Sequence, residues 1–256
     1  MITDSQSKKI QQFCEIETSA GRFSYFLRRS RRRRTLEISI RDNADIVVSA
    51  PSAMAERRIR DFIRQRDGWI ARHLKRAREE RRRVPPKHYV SGETFYFLGK
   101  KYPLIVVMAD RSLSRIAFNG AGWTIRIPRL HGETERRRAV RKKLISWYQK
   151  EAKEILGGRV FHYARMMHLD PLTIGIRGQK RIWGSCHVRR RSIQLNWQLI
   201  QAPMDAIDYV VVHELSHLMA PDHSKHFWRQ VARILPDYKK RQQWIKDNRR
   251  ALRLPP

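Results

Sequence analysis

The chain has 256 residues, enough for one large or two modest domains, and its hydrophobic content of 41% excludes a disordered polymer. Its 55 lysines and arginines outnumber 24 acidic residues, and the resulting charge of +31 favours polyanions such as nucleic acid, nucleotides or acidic proteins as partners. Two cysteines, Cys14 and Cys186, are too few for a disulfide framework, and the sequence contains neither a signal peptide nor an apolar run of about 18 residues. We therefore expect a cytoplasmic protein without a membrane span.

The first half of the chain reads as strands with one helix. Residues 1–20 are expected to be loosely ordered. Residues 21–130 form a predicted basic, β-rich region, in which a β-meander precedes a helix over about 52–82 and about four further short strands follow. Within the meander the apolar residues alternate with polar ones, as at Phe23, Tyr25 and Leu27. We find no convincing internal repeat.

The second half, residues 131–256, is predicted to be mainly helical with a small sheet. One long helix is expected from Glu133 to about His168, with Gly157-Gly158 as a point of interruption. Strands are expected in "LTIGIRG" and "SIQLNW", with a loop over 179–191 between them. Three helices complete the chain, over about 203–219, 224–235 and 238–250. The predicted fold class is α+β.

The stretch "VVVHELSHLMAPDHSKHFW", residues 210–228, holds four histidines and one glutamate. His213 and His217 stand four residues apart, so on a helix their side chains lie on one face, a spacing that lets two imidazoles bind one zinc ion. Glu214 is rotated away from that face and could reach a water on the metal. A lone histidine is more often a satisfied core residue, but this spacing favours a zinc site over that interpretation.

A catalytic zinc site needs a third protein ligand and an open position. Pro221 ends the helix, and His223 follows six residues after His217, where a reversal of the chain would bring it back. His226 competes for the same role, but it is expected on the next helix, which Ser224 would cap. The predicted zinc ligands are therefore His213, His217 and His223, and Glu214 is the predicted catalytic residue.

Five motifs resemble the YgjP-like metallopeptidases, relatives of the WLM and SprT-like zinc proteins among the gluzincin-like enzymes. They are "WGSC" (183–186), "IQLNWQLIQAP" (193–203), "IDYVVVHELSHL" (207–218), "DHSKHFW" (222–228) and "LPDY" (235–238). The resemblance implies a zincin-like catalytic region, with the same three histidines as ligands and Glu214 as the catalytic residue. Ile182 and His187 depart from the family's usual residues beside "WGSC" and put in doubt any role of that loop.

The predicted activity is zinc-dependent hydrolysis, in which Glu214 activates a zinc-bound water, with a protein or peptide as substrate. Tyr238 and the "WGSC" loop are candidates for the oxyanion stabiliser, although a core position for Tyr238 is the simpler interpretation. Two alternatives stay open. One is hydrolysis of a nucleotide phosphoanhydride, and the other is nucleic-acid binding beside a vestigial zinc site. Both depend on the arginine-rich runs at 28–34, 76–83, 136–143 and 189–191.

Overall fold

The computed structural model of the protein describes residues 11–41, 43–83, 85–109, 114–170, 173–179 and 182–254. The chain divides into two compact units, Met1–Pro86 and Lys87–Pro256. Both contain helices and sheets, so the predicted α+β class is confirmed. The division lies earlier than the predicted boundary after residue 130, because strands before that point share one hydrophobic core with the long helix after it.

The described part of the first unit contains β1 (Gln11–Thr18), β2 (Gly21–Ser30), β3 (Glu37–Ile40), β4 (Ile46–Pro51), α1 (Glu56–Arg64) and α2 (Asp67–Arg83). The strands lie in the order β1-β2-β4-β3, with β2 and β4 parallel and both outer strands antiparallel to their neighbours. This order departs from that of a β-meander. The more buried β4 takes the central position, where both of its edges are paired, and the less buried β3 stays at the edge.

Two sequence-based expectations for this unit fail. Residues 11–18, expected to be loosely ordered, form β1, in which Ile16 is buried opposite Phe23; residues 1–10 lie outside the described residues. The single helix expected over 52–82 is two helices. The first ends at Arg64 and the second begins at Asp67, whose carboxylate accepts hydrogen bonds from the Ser19 hydroxyl (2.5 Å) and the Ala20 amide (3.2 Å) and thereby ties the start of α2 to the β1–β2 turn.

The second unit begins with β5 (Thr94–Phe97), β6 (Lys100–Ala109), β7 (Arg115–Phe118), β8 (Trp123–Pro128) and α3 (Glu133–Met166). Its strands lie in the order β5-β6-β8-β7, again with a parallel central pair and antiparallel outer strands. The first sheet and this one therefore repeat one topology, which the sequence did not reveal. Helix α3 spans its predicted range, and Gly157-Gly158 does not interrupt it.

The remaining elements are β9 (Thr173–Arg177), β10 (Gly184–His187), β11 (Ser192–Asn196), α4 (Met204–Ser216), α5 (Lys225–Ile234) and α6 (Tyr238–Asn248). The three helices lie where they were predicted. Strand β11 is central in a three-stranded sheet, parallel to β9 and antiparallel to β10. Strand β10 lies inside the predicted loop. It was not predicted as a strand because "GSCH" lacks the β-branched and aromatic residues that indicate one.

Among the described residues, we find no helix with the length and apolar character that crossing a membrane requires.

Candidate metal centre

Helix α4 carries the first two histidines of the candidate metal centre. Nearly every residue from Ala206 to Ser216 is buried, which explains why the sequence here is apolar on all sides. His213 lies in the last turn and His217 immediately follows the helix with helical dihedral angles, so their rings meet edge-to-face with 5.0 Å between centroids. The predicted one-face geometry of this pair is present.

Two contacts hold the N-terminal part of helix α4 in place, one at Asp208 and one at the preceding Pro203. Asp208 is 5% exposed and accepts two hydrogen bonds from Arg159 of α3, at 2.7 Å from Nε and 2.9 Å from Nη2. At the start of the helix, Gly99 of the β5–β6 turn has a φ of 81°, and a Cβ there would lie 2.8 Å from the Cβ of Pro203. The ion pair and this close contact together hold the helix against α3 and the second sheet.

His223 reaches the pair from a bend between α4 and α5. Asp222 accepts a hydrogen bond from the Ser224 amide (3.3 Å), and the Ser224 hydroxyl accepts one from the Phe227 amide (3.4 Å) as the N-cap of α5. The Nε2 atoms of His223 and His213 consequently lie 3.1 Å apart. The structure thus brings together the three histidines that were predicted as ligands.

The three imidazoles fit a single metal ion. One nitrogen from each of His213, His217 and His223 can be chosen so that all three lie within 4.8 Å of one another. Two nitrogens bonded at about 2.0–2.1 Å to one tetrahedral zinc ion would stand roughly 3.3 Å apart, close to the 3.1 Å between His213 and His223. Neutral nitrogen donors of this kind suit zinc and other first-row transition metals.

The electrostatics keep the imidazoles of His213 and His217 neutral, the form that binds a metal. Burial, together with the neighbouring His217 and His223, lowers the pKa of His213 to about 4. Burial also lowers the pKa of His217, and His223 adds to that shift, while hydrogen bonds with the backbone of Ala220 and Pro221 oppose it. No proton therefore has to be displaced from these two rings at neutral pH.

Glu214 lies beside the histidines and faces strand β10. It is 6% exposed, and burial raises its pKa to about 7. A Cβ on Gly184 would lie 2.6 Å from both Cγ and Oε1 of Glu214, so the carboxylate occupies the space that any larger residue would need. Glycine at 184 is thus required for the close approach of β10 to the acid.

A pocket of about 300 Å³ joins these groups. Its walls are β10 and the following Val188 on one side, and Glu214, the three histidines and Pro221 on the other. In the three-stranded sheet, β10 pairs only with β11 among the described strands, so its outer edge is free beside the pocket. The arrangement presents an acid, a candidate metal site and an unpaired strand edge in one cavity.

Comparisons with known proteins identify the family. A family model described as the YgjP-like metallopeptidase domain matches residues 34–248. The chain belongs to the YgjP-like family. The resemblance noted from the motifs is therefore confirmed, and a metal ion and a peptidase activity are properties of the family to which this chain belongs.

Two solved structures are also similar to the chain, although none of the curated proteins matches it. The metallopeptidase zymogen of Pyrococcus abyssi abylysin is 24% identical, covering 41% of this chain and 96% of its own, with a TM-score of 0.30. The metallopeptidase zymogen of Methanocaldococcus jannaschii jannalysin is 15% identical, covering 36% and 95%, with a TM-score of 0.34.

Other sequence candidates in this YgjP-like chain lie apart from the histidine cluster or have a different role. His226 is exposed on α5 and is not part of the cluster. Cys186 lines the pocket, but burial, with a contribution from the charge of Glu214, raises its pKa to about 11, so it carries a thiol at neutral pH. Tyr238 stacks on Trp228 at 5.2 Å; its role as an oxyanion stabiliser stays a prediction.

The sequence interpretation missed several residues that shape this YgjP-like site. Asn196 is fully buried, and its Nδ2 donates to the carbonyl oxygens of Gln179 (2.7 Å) and Ile182 (3.1 Å), which holds the segment that leads into β10. Phe227 and Trp228 surround the histidine rings. The motifs "IQLNW" and "DHSKHFW" contain these residues, so the signal was present without an assignable role.

The arginine run at 28–34 has partners inside the first unit. Arg29 Nη1 donates to the carbonyl oxygens of Ser52 (3.2 Å) and Met54 (2.6 Å), and Arg33 pairs with Glu37 at 2.6 Å. These arginines therefore support the β2–β4 region of the sheet. Nucleic-acid or nucleotide binding through the basic runs stays a prediction.

Proposed function

We propose that this YgjP-like chain is a zinc-dependent peptidase in which His213, His217 and His223 hold the zinc ion and Glu214 is the catalytic base. The observation that carries the proposal is the convergence of these four side chains on one pocket beside a free strand edge. Three ligands leave an open coordination position, which distinguishes a catalytic zinc site from a structural one.

A zinc ion held by three imidazoles supplies Lewis acidity, which lowers the pKa of water toward ~7 and polarises a carbonyl group. Glu214 accepts a proton from the attacking water, whose oxygen forms a bond to the carbonyl carbon of the peptide. The same carboxyl then delivers that proton to the amide nitrogen as the carbon–nitrogen bond breaks. The product ends are one carboxylic acid and one amine, and the proton that the acid loses at neutral pH is taken up by the amine, which leaves a carboxylate and an ammonium group.

Strand β10 provides a way to bind an extended peptide. Unpaired backbone N–H and C=O groups on a strand edge can add a further strand without regard to its side chains. Because Gly184 and Cys186 line the pocket that holds Glu214, a peptide paired with β10 would pass directly by the acid and the histidines. Substrate recognition would therefore depend largely on backbone hydrogen bonds.

Hydrolysis of a nucleotide phosphoanhydride is the weaker alternative. Enzymes that act on phosphate groups place lysine or arginine side chains against the phosphate oxygens. Of the described residues that line the pocket, none is a lysine or an arginine. The pocket therefore favours a neutral peptide bond over a polyphosphate, and the third hypothesis, a vestigial site in a nucleic-acid-binding protein, is addressed by the same experiment.

The test compares the wild type with Glu214→Gln. The variant should keep zinc and lose about 10²–10⁴-fold of its peptidase rate on a casein-like protein, because general acid–base catalysis supplies an effect of that size. Glu154→Gln, an exposed acid on α3 outside the pocket, is the matched control and should retain full activity. A chelator should abolish wild-type hydrolysis, and zinc should restore it.

The outcomes separate the three hypotheses. Undiminished peptidase activity in Glu214→Gln would overturn the role of Glu214. Zinc-dependent turnover of nucleoside triphosphates without proteolysis would establish the phosphoanhydride alternative. Zinc binding with no hydrolysis of either substrate would support the vestigial site.

A further inference from the structure

The three histidines are held by different kinds of structure. His213 and His217 are set by helix α4, whose backbone hydrogen bonds and buried faces fix both positions. His223 lies in a bend and is exposed. An exposed side chain on a bend has several rotamers available, so something other than backbone must keep its ring aimed at His213.

Aromatic side chains provide that restraint. The His223 ring stacks on the indole of Trp228, with centroids 5.7 Å apart and planes 28° apart. The ring of Tyr238 also stacks on the indole, at 5.2 Å and 18°. The fully buried Phe227 meets His223 edge-on at 4.8 Å and closes the base of the cluster.

We propose that Trp228, backed by Tyr238, is a positioning residue that keeps the His223 ring directed at His213 before a metal ion arrives. This inference rests on the proposed function, since it assumes that the histidines bind zinc. Trp228 is suited to the role because it also contacts His213 at 5.8 Å and Phe227 at 5.0 Å, so its own orientation is fixed from three sides.

Two physical effects make the stack favour metal binding. A ring that is already oriented loses less conformational entropy when it coordinates, so the affinity of the site for the metal rises. In addition, an imidazole that donates to a cation becomes partly positive, and the face of an indole within about 6 Å attracts positive charge. The second effect is stronger for tryptophan than for phenylalanine and is lost with leucine.

The experiment measures Zn²⁺ affinity of the metal-free full-length chain by competition with a chromophoric chelator. Trp228→Leu should weaken Zn²⁺ binding about 10–100-fold, the usual cost of removing a group that supports a metal-ligating histidine. Trp228→Phe, which retains a flat ring, should weaken it by only about threefold. Trp244→Leu removes a partly buried tryptophan of α6 that, among the described residues, makes no ring contact with the cluster, and it should leave the affinity unchanged.

A second pair of variants tests the same proposal if Trp228→Leu does not fold. If circular dichroism shows that Trp228→Leu is unfolded, Tyr238→Leu and Tyr238→Phe decide the question. Tyr238→Leu removes the ring that stacks on the indole and should weaken Zn²⁺ binding by about threefold, whereas Tyr238→Phe keeps the ring and should bind as the wild type does. The absorption spectrum of bound Co²⁺ reports whether His223 still coordinates.

The failures are distinguishable. A wild type that binds no Zn²⁺ would overturn the proposed function itself. A wild type that binds, together with a folded Trp228→Leu of equal affinity and an unchanged Co²⁺ spectrum, would overturn only the positioning role. Equal affinities for Tyr238→Leu and Tyr238→Phe would do the same where Trp228→Leu is unfolded.

Discussion

The first sheet of each unit follows the same plan, but the two sheets support different structures. In both, an antiparallel hairpin supplies two strands, the next two strands form a second antiparallel pair, and the sheet is joined through a parallel central pair that ends at a proline, Pro51 or Pro128. In the first unit, two short helices close the core through Ile59, Ile63 and Ile70. In the second, α3 covers the sheet and continues into a core shared with α4 and β11.

The difference shows where the site originates. The sheet topology is common to both units, whereas the histidine cluster depends on elements that only the second unit has, namely α4, α5 and β10. The 34-residue α3 is longer than either described helix of the first unit, and its far half provides Arg159, the partner of Asp208 on α4. The two units therefore share a strand order, whereas the histidine cluster, among the described residues, belongs to the second unit.

The largest effect on stability is expected from substitutions that create a similar cavity in the core of each unit. Ile59 of α1 and Leu144 of α3 are both fully buried against their own sheets. Replacing either with alanine should lower the stability of its own unit by about 3 kcal/mol, through lost apolar transfer and the cavity left behind. Hydrogen exchange resolved by peptides should show faster exchange in the first unit for Ile59→Ala and in the second for Leu144→Ala.

Hydrogen exchange in the presence of Zn²⁺ provides a second comparison of the two units. Saturating Zn²⁺ stabilises only the part of the chain that binds it. It should therefore slow exchange in peptides from α4 and α5 and leave those from β1 to α2 unaffected. Equal acceleration in both units by Ile59→Ala would show that the two cores do not behave as separate cooperative bodies.

An intermediate effect is expected from a substitution at Gly184, where strand β10 of the third sheet closely approaches the Glu214 side chain. Gly184→Ala would place a Cβ 2.6 Å from Glu214, so either β10 or the carboxylate must move. Peptidase activity should fall about a hundredfold, the cost of misplacing a catalytic group by roughly 1 Å. Gly175→Ala in β9 is the matched control, because its nearest neighbour would be Gln194 at 3.5 Å, an ordinary contact.

A Gly184→Ala variant with wild-type activity would indicate that Glu214 does not need its present position. Loss of activity in Gly175→Ala as well would point to a general weakness of the sheet rather than to the contact with Glu214.

The smallest effect is expected on the stability of the first unit at alkaline pH. Burial, together with the nearby Cys14, raises the pKa of Tyr25 from 10.0 to about 12. The fold thus favours the neutral phenol, so its contribution to stability is complete below pH 10 and is lost as the pH rises from 10 to 12. Tyr25→Phe cannot ionise and should lose less stability over that window in urea unfolding followed at pH 9–12.

Parallel curves for the wild type and Tyr25→Phe between pH 10 and 12 would contradict this account. Below pH 10 the two proteins should differ only by a constant offset.

The sequence predicted those parts of the site that depend on local geometry. His213 and His217 follow from helical spacing, and His223 follows from the breaker at Pro221, because a short reversal leaves few places for the next side chain. The helices from residue 203 onward were likewise recognisable, since apolar periodicity and an N-cap at Ser224 are local signals.

The features that the sequence did not predict depend on contacts between residues that are distant in sequence. Strand β10 exists because β11 pairs with it, and Gly184 matters because Glu214, thirty positions later, approaches it. The start of α2 is likewise fixed by a distant contact, because Asp67 accepts hydrogen bonds from Ser19 and Ala20. The repeated topology was not recognisable in the sequence because the two sheets share strand order and direction rather than residues.

The order of the elements along the chain has a consequence for synthesis. Domains generally fold as units while the ribosome proceeds from the N-terminus. The first unit ends at Pro86, and His213, His217 and His223 all follow the second sheet and α3 along the chain. The growing chain therefore cannot assemble its histidine cluster before the sheet and helix that support the cluster have been made.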